Sequence, residues 1–278
     1  MLEGKIVKNV SNDYTVKVEN ELYVCKPRGK FRNTKEVPLV GDNVVIDSEN
    51  NYILEIKKRK NELVRPSVAN IDQVVILASA KHPNFDTNLL DKLLVIIEYN
   101  NIKPVICISK IDLLNESELK EIEDYKKYYE SIGYSVYYNN DLNIKNIFKN
   151  KVTVFTGQSG SGKSTLLNRL NTNFNLKTDE ISMALGRGKH TTRHTELLEL
   201  EGGLVADTPG FSSLEFIGMS KEDIRDNFIE FNEYRELCKY KDCMHNKEDQ
   251  CEIKKQVGIN ILDSRYQNYL KFIDNKKI

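Results

Sequence analysis

Eight residues, Gly157-Gln158-Ser159-Gly160-Ser161-Gly162-Lys163-Ser164, constrain this chain more than any others. They follow an apolar, β-prone run, Val152-Thr153-Val154-Phe155, and lead into a helix-forming stretch from Thr165 to Leu170. Strand, glycine-rich loop and helix start, in that order, are the setting of a P-loop. The glycines let successive backbone N–H groups converge on a phosphate chain, with the helix N-terminus behind them. In such a loop Lys163 reaches the β- and γ-phosphates, and Ser164 holds Mg²⁺ through its hydroxyl. The expected phosphate cradle is therefore all eight residues together with Thr165. An accidental Lys-Ser in a glycine-rich turn would lack the flanking strand and helix.

A P-loop alone leaves the base open, and two further strings narrow it. Asp207-Thr208-Pro209-Gly210 follows the apolar run Leu204-Val205-Ala206 and matches the D-x-x-G pattern of GTPases. Asp207 is expected to bind Mg²⁺, usually through water, and the Gly210 N–H to sense the γ-phosphate. Ser109-Lys110-Ile111-Asp112 lies at the carboxyl end of Val105–Ile108, where ligands of open α/β sheets bind. It resembles the guanine-reading N-K-x-D motif, in which the Asp carboxylate accepts two hydrogen bonds from guanine N1–H and the N2 amine. The Lys packs along the purine. Ser109 replaces the usual Asn, which affects the N7-side contact and leaves the Asp112–guanine reading intact. The order of motifs is inverted, because conventional GTPases place the P-loop first and the base-reading motif late. A circularly permuted chain would still form the same sheet.

The remaining pattern fits three regions. Up to about Arg65, short strands at Tyr14–Glu19, Val44–Ile46 and Tyr52–Ile56 are separated by turns and suggest a small OB-type barrel. Lys26, Arg28, Lys30, Arg32 and Lys35 fall in a stretch without an acid, with Tyr23 and Phe31 as candidate stacking rings for RNA. Lys57-Lys58-Arg59-Lys60 is a second basic cluster. A solvated loop would also carry such charge. After Arg65-Pro66-Ser67 the pattern becomes buried strands alternating with helices. Val74–Ala78, an amphipathic helix over Asp86–Glu98, Val105–Ile108, a charged helix over Glu118–Ser131 and a strand at Tyr134–Tyr138 predict a parallel sheet in an α/β domain. Further on, Ser220 and Asp223 form a capping box for a helix through about Leu237. A last helix is expected over Asp263–Asp274, with Tyr266, Tyr269, Leu270 and Ile273 on its apolar side.

Lys plus Arg total 41 and Asp plus Glu total 41, so no global field draws the chain to polyanions; such contacts need local patches. With no apolar leader and no run long enough to span a bilayer, a cytoplasmic protein without membrane contact is expected. Five cysteines without an export signal argue against a disulfide framework. Three of them fall in the spacing Cys238-x4-Cys243-x-His245-x5-Cys251. Three thiolates and an imidazole can close one tetrahedral, structural Zn²⁺ site with no position left for catalysis. Cys25 and Cys107 read as small core residues of their strands.

The order of motifs carries a strong resemblance to one family. Asn84-Phe85-Asp86 with Leu89-Leu90-Asp91-Lys92, the P-loop, and Gly186-Arg187-Gly188-Lys189-His190-Thr191-Thr192-Arg193-His194 together resemble the RsgA (YjeQ) family. These are bacterial circularly permuted GTPases that act on the small ribosomal subunit. The resemblance runs over essentially the whole chain. It implies an OB-fold RNA-binding barrel at 1–66, a permuted GTPase domain at 67–218 and a helical zinc-binding domain at 219–278. It also implies zinc on Cys238, Cys243, His245 and Cys251, Mg²⁺ with GTP or GDP, and a monomer that binds the small subunit and its rRNA. Ser109, and Asn139-Asn140-Asp141 where a Ser-Ala-type base contact is usual, depart from the family pattern.

Phe211 follows Gly210, where Ras-like enzymes carry a water-orienting Gln, and an apolar ring cannot hold a water in line. His190 and His194 are the candidates to replace it. The family resemblance points to His190 as catalytic, with Thr191 or Thr192 contacting Mg²⁺ or the γ-phosphate. Two other readings are a permuted GTPase acting on the large subunit and an RNA-binding switch whose hydrolysis is incidental; ATP use is a more distant third.

Overall fold

The computed structural model describes residues 1–29, 31, 36–64, 67–171, 195–207 and 215–275. Strands β1 (Leu2–Val10), β2 (Asp13–Val18), β3 (Glu21–Pro27), β4 (Asn43–Asp47) and β5 (Tyr52–Ile56) form a barrel. Their order is β1-β2-β3-β5-β4, and β4 closes back onto β1. Only the β3–β5 pair is parallel, the arrangement of an OB-type barrel. Ser11 and Asn12, with φ of 51° and 70°, make the tight β1–β2 turn, both in the left-handed region that a two-residue hairpin of this twist requires.

Two barrel strands, β1 and β3, add to the three expected from the sequence. A register shift between Ile6 and Lys8 breaks the alternation of β1, so its period-two signal is lost. In β3 the outward positions are Leu22 and Val24, 64% and 58% exposed, which masks the inward Cys25. Cys25 is fully buried, as expected of a core thiol. Phe31 corrects the sequence reading. It is only 6% exposed and packs in the barrel core, so it offers no ring for a base to stack on.

A two-stranded ribbon, β6 (Glu62–Val64) and β7 (Ser67–Ala69), leads into the central sheet. The chain then runs through β8 (Gln73–Ser79), helix α1 (Thr87–Tyr99), β9 (Lys103–Ser109), α2 (Glu116–Ser131), β10 (Ser135–Tyr138), β11 (Val152–Gly157) and α3 (Lys163–Leu170). The hairpin β12 (Thr195–Leu200) and β13 (Gly203–Asp207) completes the sheet. Strands β10-β9-β8-β11-β13 pair in parallel, as the alternation of apolar runs and helices implies. Strand β12 turns back antiparallel and joins β1, so barrel and central sheet share one continuous eleven-stranded sheet. Asp86 caps α1, its side chain accepting from the Leu89 N–H. The capping box of α2, Asn115 with Glu118, starts that helix two residues earlier than the expected Glu118.

Ser220 and Asp223 form their predicted capping box at the start of α4 (Lys221–Asp226). The helix does not run on to Leu237. It stops at Asn227, and two short 3₁₀ turns, Ile229–Glu233 and Arg235–Leu237, follow. Phe228 and Phe231 of this stretch pack in a core with Tyr269. Helix α5 (Glu252–Gln256) precedes α6 (Asp263–Asn275). Tyr266, Tyr269 and Ile273 of α6 are buried as expected; Leu270 is half-buried, and Phe272 takes its place in the core. Val95 and Ile96 of α1 belong to this same core, which seats the C-terminal helices on the central sheet's outer layer. Among the described residues no helix is long and apolar enough to cross a membrane.

Candidate functional site

The phosphate cradle is built by close approach of backbones. Strand β11 ends on Gly157 at φ 135°, where a Cβ would lie 2.2 Å from the Leu77 carbonyl of β8. Only glycine fits there. Gly160 and Gly162, at φ 75° and 90°, complete the turn, and α3 begins at Lys163 with its free N–H groups facing the loop. Lys163 Nζ donates to the Gly157 carbonyl at 3.2 Å, so the ammonium is folded across the cradle that phosphates would fill. Ser164, in the first turn of α3, is buried at 7% exposure with the neighbouring Thr165 exposed. Gln158 Nε2 lies 3.5 Å from Asp86 Oδ2, linking the loop to the N-terminus of α1.

The base-reading string stands beside it. Strand β9 ends on Ser109, which is fully buried, and its hydroxyl donates to the Ser161 carbonyl at 2.6 Å. Lys110 adopts φ 60°, and its ammonium donates to the His82 carbonyl in the loop after β8. Ile111 and Asp112 open a 3₁₀ turn, Ile111–Leu113, which leaves the Asp112 carboxylate exposed to a ligand. The Asn139 N–H donates to the Ile108 carbonyl at 2.8 Å, which brings the loop after β10 to the same edge. Sequence reasoning missed the Ser109–Ser161 link and the His82 carbonyl. A hydroxyl at the Asn position was the available signal for the first; nothing in the sequence marks the second.

Asp207 closes β13, next to β11 in parallel register, with Val154 opposite Ala206. Its backbone thus ends at the same carboxyl edge as the P-loop; its side chain is outside the described residues. His190, Thr191, Thr192, Gly210 and Phe211 also lie outside the described residues.

The four expected zinc ligands converge. One ligand atom from each of Cys238, Cys243, His245 and Cys251 lies within 4.8 Å of the others. His245 Nδ1 is 3.4 Å from Cys251 Sγ and 3.7 Å from Cys238 Sγ. The Glu252 N–H donates to Cys238 Sγ at 3.3 Å, a contact that favours a thiolate. Burial lowers the His245 pKa to about 4, with Arg225 adding to the effect, so the imidazole is neutral at neutral pH and one ring nitrogen keeps a lone pair. Burial pushes the Cys251 thiol up to about 12 and raises Cys243 as well. Three thiols this close, two of them buried, are stable as thiolates only around a cation. The donor set of three sulfurs and one neutral imidazole fits one tetrahedral Zn²⁺. The cage is pinned from outside: Glu248 accepts from the Met244 and Asn246 N–H groups, and Tyr266 donates to the His245 carbonyl at 2.7 Å.

Residues 56–217 match the RsgA GTPase family and residues 3–53 match the RsgA N-terminal domain. The chain belongs to the RsgA GTPase family. A protein of Oceanobacillus iheyensis named small ribosomal subunit biogenesis GTPase RsgA 2 is 51% identical, over 99% of this chain and 97% of its own length. An Enterococcus faecalis protein named small ribosomal subunit biogenesis GTPase RsgA is 48% identical over 98% of this chain and 94% of its own. The crystal structure of YloQ, described as a circularly permuted GTPase, aligns with TM-score 0.83 and 40% identity over 100% of this chain and 97% of that one. YjeQ from Thermotoga maritima aligns with TM-score 0.85 and 33% identity, over 99% of both chains. The inverted motif order therefore has its structural explanation: RsgA-family members carry the GTPase sheet in permuted connectivity, with the barrel ahead of it.

Proposed function

We propose that this chain hydrolyses GTP to GDP and phosphate with Mg²⁺, in the cytoplasm, and acts in late maturation of the small (30S) ribosomal subunit. The observation that carries the nucleotide reading is the Ser109 hydroxyl bonded to the Ser161 carbonyl at 2.6 Å. It ties the guanine-reading turn to the phosphate cradle, so base and phosphates of one nucleotide meet one rigid edge. The ribosomal reading rests on the names of the relatives.

In this reading Gly157, Gln158, Ser159, Gly160, Ser161, Gly162, Lys163 and Thr165 bind the phosphates, with Thr191 or Thr192 and Gly210 closing on the γ-phosphate. Ser164 and Asp207 hold Mg²⁺. Lys110, Ile111 and Asp112 read guanine, with Ser109 positioning them. His190 orients the attacking water. A zinc ion on Cys238, Cys243, His245 and Cys251 is structural, because no ligand position stays open. Residues 1–66, 67–218 and 219–278 act as rRNA-binding barrel, GTPase and zinc-binding helical domain of a monomer.

The test is GTP turnover by the purified protein alone and with purified small or large subunits. Strong stimulation by small subunits only is the expected result, lost in His190→Ala. Equal stimulation by large subunits, or none by either, would overturn the ribosomal assignment while tight guanine-nucleotide binding would preserve the nucleotide site.

A further inference from the structure

Opposite the nucleotide site, at the amino-terminal edge of the central sheet, a cleft of about 1000 Å³ separates barrel from sheet. Lys5, Lys17, Lys58 and Lys60 approach it from the barrel side, and Lys151 from just before β11. The basic string Lys57-Lys58-Arg59-Lys60 is mostly structural. Lys57 pairs with Glu3, Arg59 is held by Asp42 and Glu62, and Lys60 pairs with Asp72. Lys58 is different: it is exposed, it lines the cleft, and it makes no ion pair among the described residues.

Charge in the cleft is mixed but not balanced. Lys17 is paired with Glu199 and Lys60 with Asp72, while Glu201 is paired with Lys145 from outside. Glu19 is the remaining carboxylate in the lining. Against it stand Lys58, Lys151, whose ammonium reaches only the Gln73 side-chain carbonyl at 3.2 Å, and Lys5, bonded to the Gly41 carbonyl at 3.2 Å. Among the described residues, three ammonium groups without a carboxylate partner therefore face one such carboxylate. Burial lowers the Lys5 pKa, with Asp72 partly offsetting it, so an anion at Lys5 would replace lost hydration. Among the described residues no aromatic side chain lines the cleft.

We propose that this cleft between barrel and sheet binds the phosphate backbone of single-stranded RNA, with Lys5, Lys58 and Lys151 as its phosphate contacts. The proposal deepens the rRNA reading above and rests on it. A cleft of about 1000 Å³ has room for a few nucleotides of extended strand. Its lysines act as point charges, and without a stacking ring the binding reads backbone rather than sequence.

The fold also couples this cleft to the nucleotide. Residues 199–204, the tip of the β12–β13 hairpin, form one wall, and Asn171 at the end of the P-loop helix α3 belongs to the lining. The hairpin's far end carries Asp207, the proposed Mg²⁺ ligand, and β12 starts at Thr195, directly after the segment holding His190 to Thr192. Strand β12 is fastened to the barrel by pairing Lys8 with Glu196, with an ion pair at 2.9 Å. A backbone seated in the cleft thus bears on the one hairpin that joins both nucleotide-sensing segments to the barrel.

The experiment is fluorescence anisotropy of a short labelled single-stranded RNA with the full chain, titrated at several KCl concentrations. Lys58→Ala/Lys151→Ala should bind several-fold more weakly, and its log K against log salt slope should be shallower by about 0.7 per lysine removed. Oligo-U and oligo-A should bind alike, and Glu19→Gln should bind more tightly than the native chain. Lys58→Glu alone, at an exposed position, repeats the test without risk to the fold and should weaken binding further. Unchanged affinity and slope in both lysine variants, or a marked preference for one homopolymer, would overturn the cleft. Small-subunit stimulation of GTP turnover is measured in parallel on the native chain. Its absence would remove the ribosomal reading, while the anisotropy series still decides the cleft.

Discussion

Arg265 Nη1 donates to Asp91 Oδ1 at 2.7 Å, and neither side chain has any exposed surface. The same guanidinium makes two bonds to Glu230, at 2.5 and 2.9 Å, and lies 4.7 Å from the Phe228 ring centroid. Asp91 in turn accepts from the Tyr129 hydroxyl and from Asn268, each at 2.7 Å. One cation and two carboxylates thus join α1, α6 and the 3₁₀ turn at Glu230. Burial opposes the charge on Arg265, but Glu230 and Asp91 outweigh it and hold its pKa well above the ordinary value.

Removing the cation strands both carboxylates in the core. Arg265→Met is expected to cost about 3–5 kcal/mol of stability, because the penalty of an unpaired buried charge exceeds the worth of the pair. Urea denaturation followed by circular dichroism measures it. Limited proteolysis should find new cuts first among residues 215–275, where α6 loses its anchor to α1. A loss near 1 kcal/mol or less would mean that water reaches the site.

Ser109 makes a smaller but more specific prediction. Its hydroxyl is the only side-chain group described as holding the Ser161 carbonyl, and Ser109→Ala leaves that carbonyl without it. A hydrogen bond of this kind is worth about 1 kcal/mol, so folding stability should fall by about that much and GDP affinity by up to roughly fivefold. Equal GDP affinity in the variant, by fluorescent-nucleotide titration, would show that the base-reading turn is held by the β9 backbone alone.

The nucleotide edge was legible because its chemistry is local. Gly157, Gly160 and Gly162 are needed at backbone angles other residues avoid, and strand, loop and helix follow one another within residues 152–170. The zinc set was legible for the same reason, its four ligands lying within fourteen positions. What escaped depends on partners far apart in sequence. Arg265 sits on α6 among tyrosines and reads as a solvent-facing charge until Asp91, 174 residues earlier, is brought beside it. Phe31 reads as a free ring in a basic loop until the barrel closes over it. The break after Asp226 was hidden because a capping box marks only where a helix starts, and Ile224, Phe228 and Phe231 keep the spacing of a continuing apolar helix face.

The five thiols divide into two classes that a titration can separate. Cys25 and Cys107 are fully buried in strands, and burial pushes Cys107 up to about 12 and raises Cys25 also. A thiol whose pKa lies above ambient pH stays protonated and unreactive. At pH 8 the zinc-loaded protein should therefore react slowly with a disulfide reagent at every cysteine. A strong chelator should release Cys238, Cys243 and Cys251 and lower the melting temperature, and denaturant should then release the last two. Rapid reaction of all three clustered thiols before chelation would argue against a bound metal.

Glu98, near the end of α1, gives a pH dependence with a defined sign. Burial raises its pKa above 4.5, and the nearby charge of Arg265 only partly opposes that rise. Well below 4.5 both folded and unfolded chains carry the proton, and the residue has no effect on stability. As pH rises the unfolded chain ionises first, so stability falls until the folded-state pKa is passed; above it the cost is constant. Glu98→Gln removes that cost. Its melting temperature should exceed the native value at neutral pH, and the difference should shrink to nothing as pH falls below the ordinary glutamate range. If the variant were instead less stable at neutral pH, attraction to Arg265 would outweigh burial at this position, and the charge of the Asp91–Arg265–Glu230 cluster would reach further along α1 than its hydrogen bonds do.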